Sequence, residues 1–85
     1  MSQERGKVIV EIYGEKHVIL GGESPEHIQE VAHEVDKKMR LIAQRMPRLG
    51  VHQVAILAAL NLADELRKLR EEQETLMQLI ENPED

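Results

Sequence analysis

The side chains with obvious chemical potential are few, and the densest group is His27, Glu30, His33 and Glu34. Glu30-x-x-His33 has the spacing that sets a carboxylate beside an imidazole on one helix face, the pair that di-iron bundles repeat. Such a centre needs two of these motifs and two more glutamates, all facing a bundle core. This chain offers one motif, on the charged side of its helix, away from Val31 and Val35. A solvated helix face is the simpler reading. His52 lies on the continuation of an apolar seam beyond Ala55 and reads as a packed or capping histidine. Nucleophilic chemistry is no better supplied: there is no Cys and no glycine-rich phosphate loop, and the serines are Ser2 and Ser24. Ser24 already has work as a helix cap. No catalytic residue, cofactor or metal site is assigned, and the expected class is not an enzyme.

Two polar sets suit binding better than catalysis. Arg40, Arg45 and Arg48 form a basic cluster that ends in the Pro47–Gly50 loop, with Lys16 at the tip of a hairpin. Binding residues collect on loops, and a basic patch there suits an acidic partner. The plainer alternative is that these cations complement a helix C-terminus. The second set is Asn61-x-x-Asp64-Glu65, which interrupts an apolar turn. Either Asn61 is an amide that fixes a dimer geometry, or the three form an exposed ledge where apolar surface gives way to acid.

Four elements must position these residues. Residues 1–6 read as a disordered leader ending in Gly6. KVIVEIY (Lys7–Tyr13) and HVIL (His17–Leu20) are β-branched runs separated by Gly14, Glu15 and Lys16, a hairpin signal with a three-residue loop. Pairing Ile12 with Val18 and Val10 with Leu20 places Val8, Val10, Ile12, Val18 and Leu20 on one face. Gly21-Gly22 ends the hairpin. Ser24-Pro25-Glu26 starts a helix over 24–46, with Ile28, Val31, Ala32, Val35, Met39, Ile42, Ala43 and Met46 on its apolar face. Pro47 and Gly50 stop it, and a long helix follows.

That long helix changes character along its length. Between Val51 and Ala63 it is apolar all round and must be wrapped by other elements. Beyond Asp64 only a seam is apolar. Core positions fall at Ala59, Leu66, Gln73 and Ile80, alternating with Leu62, Leu69 and Leu76, the pattern of a two-stranded coiled coil. A parallel pair would set Glu65 against Arg70 of its partner. The expected fold class is therefore α+β: a head at 7–61 carrying the hairpin, a helix and the start of the long helix, a coiled-coil extension at 62–81, and a tail at 82–85.

Length and composition point to an obligate oligomer. The 85-residue chain has a single aromatic residue, Tyr13, and no Cys. A monomer this short buries only about 60% of its surface, so an aliphatic core alone is marginal. The net charge of −5 argues against nucleic acid as the main partner. The longest apolar run, Val54 to Leu60, is far too short to enter a membrane as a span. A cytoplasmic, self-associating protein is expected.

Taken together, KVIVEIYGEKHVILGG, ESPEHIQEVAHEVDKKM and VAILAALNLADELRKLREE closely resemble the ZapA family, over about Lys7 to Glu72. The most specific part is AALNLADEL (Ala58–Leu66), preceded by the Ile28–Val35 helix pattern. The resemblance implies a small non-enzymatic cell-division protein, cytoplasmic and placed at the mid-cell ring. Its implied partner is FtsZ, the tubulin-like GTPase of that ring, whose protofilaments it would bundle or cross-link. It also implies a homodimer through a C-terminal coiled coil, in some members a dimer of dimers. The coiled coil here is short, which leaves the tetramer open. FtsZ-contacting residues do not follow from the resemblance; Lys16, Arg40, Arg45, Arg48, Asn61, Asp64 and Glu65 are the candidates from the residues themselves. A coiled-coil adaptor of another cytoplasmic complex is the alternative, and a metal-binding bundle comes third.

Overall fold

Alternating β-branched residues, one left-handed turn and two capped helices account for the architecture. The computed structural model describes residues 6–81, with β1 (Lys7–Ile12), β2 (Glu15–Leu20), α1 (Pro25–Arg45) and α2 (Val51–Glu81) in chain order. Residues 1–5 of the expected leader and the tail at 82–85 lie outside the described residues. The hairpin, helix and long helix match the α+β expectation, with Ser24 capping α1 by accepting the His27 N–H at 3.1 Å and Pro25 opening the first turn.

The hairpin register differs from the expected one. Ile12 pairs with Glu15, Val10 with His17 and Val8 with Ile19. The loop is Tyr13-Gly14, two residues rather than three, and both have positive φ, 53° and 82°. That is the type I′ geometry whose twist suits a hairpin, although its usual residues are Asn, Asp and Gly. A side-chain contact stabilises the unusual tyrosine: its N–H donates to Asp36 Oδ1 at 2.7 Å. Because side chains alternate with period two, shifting the pairing by an odd number flips β2. Ile19 therefore packs inward beside Val8 and Val10. Val18 and Leu20, expected inside, join Ile9 on the outer face, where Leu20 is 76% exposed.

Gly6 belongs to the ladder rather than to a leader, since the Gly21 N–H donates to its carbonyl at 2.8 Å. Its φ is +87°, and a Cβ there would sit 2.4 Å from the Gly21 oxygen. Only glycine fits. On the free edge of β1, Gln29 Nε2 donates to the Ile9 carbonyl at 3.0 Å, tying the strand to α1.

Helix α1 serves two small cores. Ile28 and Ala32 pack on Val8 and Val10, with Ile12 and Ile19 at the margin. Met39 and Ile42 pack on Val54 and Ala58 of α2, with Val35, Ala43, Leu49, Leu57, Ile12 and Tyr13 around them. Val54 is fully buried. Val31 and Met46, expected on the buried face, are exposed. Val31 escapes because α1 lies over β1 rather than over the middle of the hairpin. Met46 escapes because it is the C-cap, with φ −131° and ψ 73°, so its side chain leaves the helical stripe.

Helix α2 has 31 residues and is about 46 Å long at 1.5 Å per residue. Lys38 Nζ meets Glu65 Oε2 at 2.5 Å, a cross-helix ion pair that pins α1 to α2. The radius of gyration is 17.6 Å in a plate of 52 × 46 × 14 Å, against about 12 Å for a globule of this length. More large apolar side chains are exposed than buried.

Candidate protein-binding surfaces

Arg40, Arg45 and Arg48 are near one another along the chain, and Lys16 lies on the hairpin. Tyr13 at the hairpin tip and Leu49 in the α1–α2 loop both pack on the Met39–Ile42–Val54–Ala58 cluster, which ties the tip and the loop to the same core. Arg40 sits over the Tyr13 ring at 5.6 Å and donates through Nε to both Asp36 oxygens, at 3.1 and 3.0 Å. The Arg40 bond, followed by that from the Tyr13 N–H, holds the Asp36 carboxyl below its usual range. The same bond raises the Arg40 guanidinium. Arg40 is thus partly committed to the hairpin anchor, though its side chain is still 58% exposed. Arg45 ends α1 and Arg48 lies in the loop; both are exposed. Lys16 is exposed too, opposite Glu11 on the outer face of the hairpin. Among the described residues Lys16, Arg45 and Arg48 make no ion pair.

The acidic ledge is less free. Asp64 pairs with Lys68 at 3.1 Å, and Glu65 with Lys38 across the helices. Glu65 is therefore held within its own chain, where the heptad pattern pointed to Arg70 of a partner. Asn61 is exposed in the single chain. Of the seam residues, Leu62 is half-buried, while Ala59, Leu66, Leu69, Gln73, Leu76 and Ile80 are exposed along one side of α2.

His27, Glu30, His33 and Glu34 are all exposed, and no cluster of three or more His, Asp or Glu suited to a metal occurs among the described residues. His52 is exposed rather than packed, because α1 covers only the Val54–Ala58 side of α2. No described helix is long and apolar enough to cross a membrane. Sequence reasoning missed two surfaces: the outer strip of Ile9, Val18 and Leu20, and an apolar groove between the hairpin and α1. Recognising Tyr13-Gly14 as the loop would have revealed the outer strip; the groove depends also on where α1 lies across the hairpin.

With this geometry in hand, comparisons with known proteins agree along nearly the whole chain. A family model described as "Cell division protein ZapA" matches residues 8–84. A cell division protein ZapA from Geobacillus sp. (strain WCH70) is 40% identical over 83 residues, covering 98% of this chain and 95% of the relative. That of Geobacillus thermodenitrificans (strain NG80-2) is 45% identical over 74 residues, covering 87% and 81%. Among solved structures, a ZapA mutant dimer from Geobacillus stearothermophilus is 40% identical, with a TM-score of 0.72 over 95% of this chain and 94% of that one. The chain belongs to the ZapA family of cell-division proteins.

Proposed function

We propose that this protein is a non-enzymatic homodimer that binds FtsZ and holds FtsZ protofilaments side by side at the cytoplasmic division ring. The observation that carries this reading is the separation of two exposed surfaces, one on the head and one along α2. The head presents Arg45, Arg48 and Lys16, exposed and without an ion pair among the described residues, while α2 presents an apolar seam that the described residues of the same chain leave mostly exposed. The similar protein of known structure is a dimer. A two-fold dimer through the seam carries two identical heads, and repeated weak sites along a polymer add up to firm attachment. An acidic filament suits the basic corner.

Pelleting with polymerised FtsZ and GTP tests this directly. The protein should sediment with the polymer and the filaments should thicken into bundles under the electron microscope. A chain that stays in the supernatant at every ratio is an adaptor of some other complex.

A further inference from the structure

The two edges of the hairpin are unlike. Among the described residues the sheet consists of β1 and β2, so each strand has one neighbour and one free edge. Backbone groups in an antiparallel pair point alternately toward the partner strand and away from it. The two-residue Tyr13-Gly14 loop and the Gly21–Gly6 bond set the phase: Val8, Val10 and Ile12 exchange ladder bonds with Ile19, His17 and Glu15. The outward groups therefore belong to Lys7, Ile9 and Glu11 on β1, and to Lys16, Val18 and Leu20 on β2. The Ile9 carbonyl agrees with this phase, since it accepts from Gln29 outside the ladder at 3.0 Å.

That bond guards the β1 edge, the strand over which α1 lies. Nothing comparable stands on β2. Among the described residues no turn, cap or side-chain hydrogen bond reaches the backbone of Lys16, Val18 or Leu20. The register runs unbroken from Lys7–Leu20 to Ile12–Glu15, so there is no bulge, and β2 contains no Pro. Bulges, prolines and covering elements are what ordinarily keep an edge from pairing. The outer face beside this edge is apolar: Val18 is 55% exposed and Leu20 76%, with Ile9 across from Val18 at 59%. At its tip end stands Lys16, which has no ion pair among the described residues.

We infer that, granted the attachment to FtsZ proposed above, the β2 edge receives an extended acidic segment of the filament as a third strand of the sheet. Backbone bonds to Lys16, Val18 and Leu20 supply the affinity, and alternate side chains of the incoming strand supply the selectivity. Every second side chain of that strand stands over the outer face. Apolar residues there meet Val18 and Leu20, and an acid meets Lys16. A second copy's β2 is the poorer occupant, since it brings another lysine to the outer face and no acid to meet the first. Lys16 thus joins the edge to the basic set of Arg45 and Arg48, and both address the same acidic partner.

Proline distinguishes the two edges. It removes an N–H and is tolerated where that N–H lies outside the ladder. Val18→Pro strips a donor from the β2 edge, and Ile9→Pro strips the equivalent donor from β1, with no hairpin bond lost in either. In pelleting with polymerised FtsZ and GTP, Val18→Pro should raise the half-saturating concentration about tenfold, while Ile9→Pro should match wild type. Val18→Pro pelleting like wild type, or an equal loss in both variants, overturns the inference and leaves the FtsZ reading standing. A wild-type chain that never pellets overturns both. Hydrogen exchange on the wild-type chain gives a readout free of any folding defect. The Val18 and Leu20 amides should exchange fast in the protein alone and at least tenfold more slowly with the polymer. Unchanged exchange contradicts the assignment. So does protection that grows with protein concentration before polymer is added, which would make a second copy the occupant.

Discussion

Replacing Leu66 by Glu puts the seam under the severest load. In the single chain Leu66 is 48% exposed, so a glutamate there touches neither core of the protomer. In the dimer it would lie in the seam, where the head hands over to the extension. Burying the exposed half of a leucine is worth about 1 kcal/mol, or about 2 for the symmetric pair. Desolvating a carboxylate costs several kcal/mol more per ion, and the two would face each other. The total is on the order of 10 kcal/mol, against about 8 kcal/mol for an entire micromolar dimer. Even if the glutamates bend toward water and recover half of it, affinity should fall more than a thousandfold. Light scattering at ~10 μM should read a monomer. Circular dichroism should show loss of helix beyond Glu65, since a lone projecting helix of this length is marginal in water. A Leu66→Glu dimer with an unchanged melting curve would refute the seam.

Gln73 is the polar residue at a core seam position, so Gln73→Leu should raise the melting temperature and admit more than one oligomeric state, read by sedimentation velocity. Val54 is fully buried between the helices; Val54→Ala should cost about 2–3 kcal/mol in transfer and cavity terms, lowering the melting temperature by on the order of 10 °C. Asp36 has a carboxyl pKa depressed in the fold by Arg40 and the Tyr13 N–H. Its contribution is therefore complete above the unfolded value of about 3.9 and is lost as pH falls from there through the lower folded value. Asp36→Asn should lower the urea midpoint at pH 7, and the two proteins should converge as pH falls below the folded value; a difference that persists in acid would mean that the anchor does not depend on charge.

Much of the fold was readable because it is set locally. Ser24-Pro25 opens α1 through a side-chain cap and a fixed φ, and the three-and-four spacing from Ile28 to Ile42 marks its buried face. The excess of apolar positions in α2 indicated a missing partner, and those residues are exposed in the single chain. The hairpin register was not readable, because the loop is held by Asp36, 23 residues away from Tyr13. Propensity argues against a tyrosine at positive φ, and only the tertiary contact reverses that. Misplacing the loop hid the outer strip. The exposure of Val31 follows from the lateral position of α1 on the hairpin, which no periodicity encodes. In the candidate surfaces, the Asp36–Arg40 pair is an i, i+4 spacing visible in the sequence. The capture of Glu65 by Lys38 joins two helices and required the fold.

The central claim, that a basic corner on each head attaches to FtsZ, is tested most directly by one pelleting series with polymerised FtsZ. It compares wild type, Arg45→Glu with Arg48→Glu, and Asp64→Lys. Neither arginine is buried or ion-paired among the described residues, so their reversal should leave the dimer and its melting curve intact. Exposed charges are screened within about 8 Å at physiological salt, so wild-type pelleting should also weaken as salt rises. The account predicts that the double arginine reversal abolishes co-pelleting while Asp64→Lys pellets like wild type. Loss of pelleting with Asp64→Lys, and its survival in the arginine variant, would contradict the account and move the contact to the ledge of Asn61, Asp64 and Glu65.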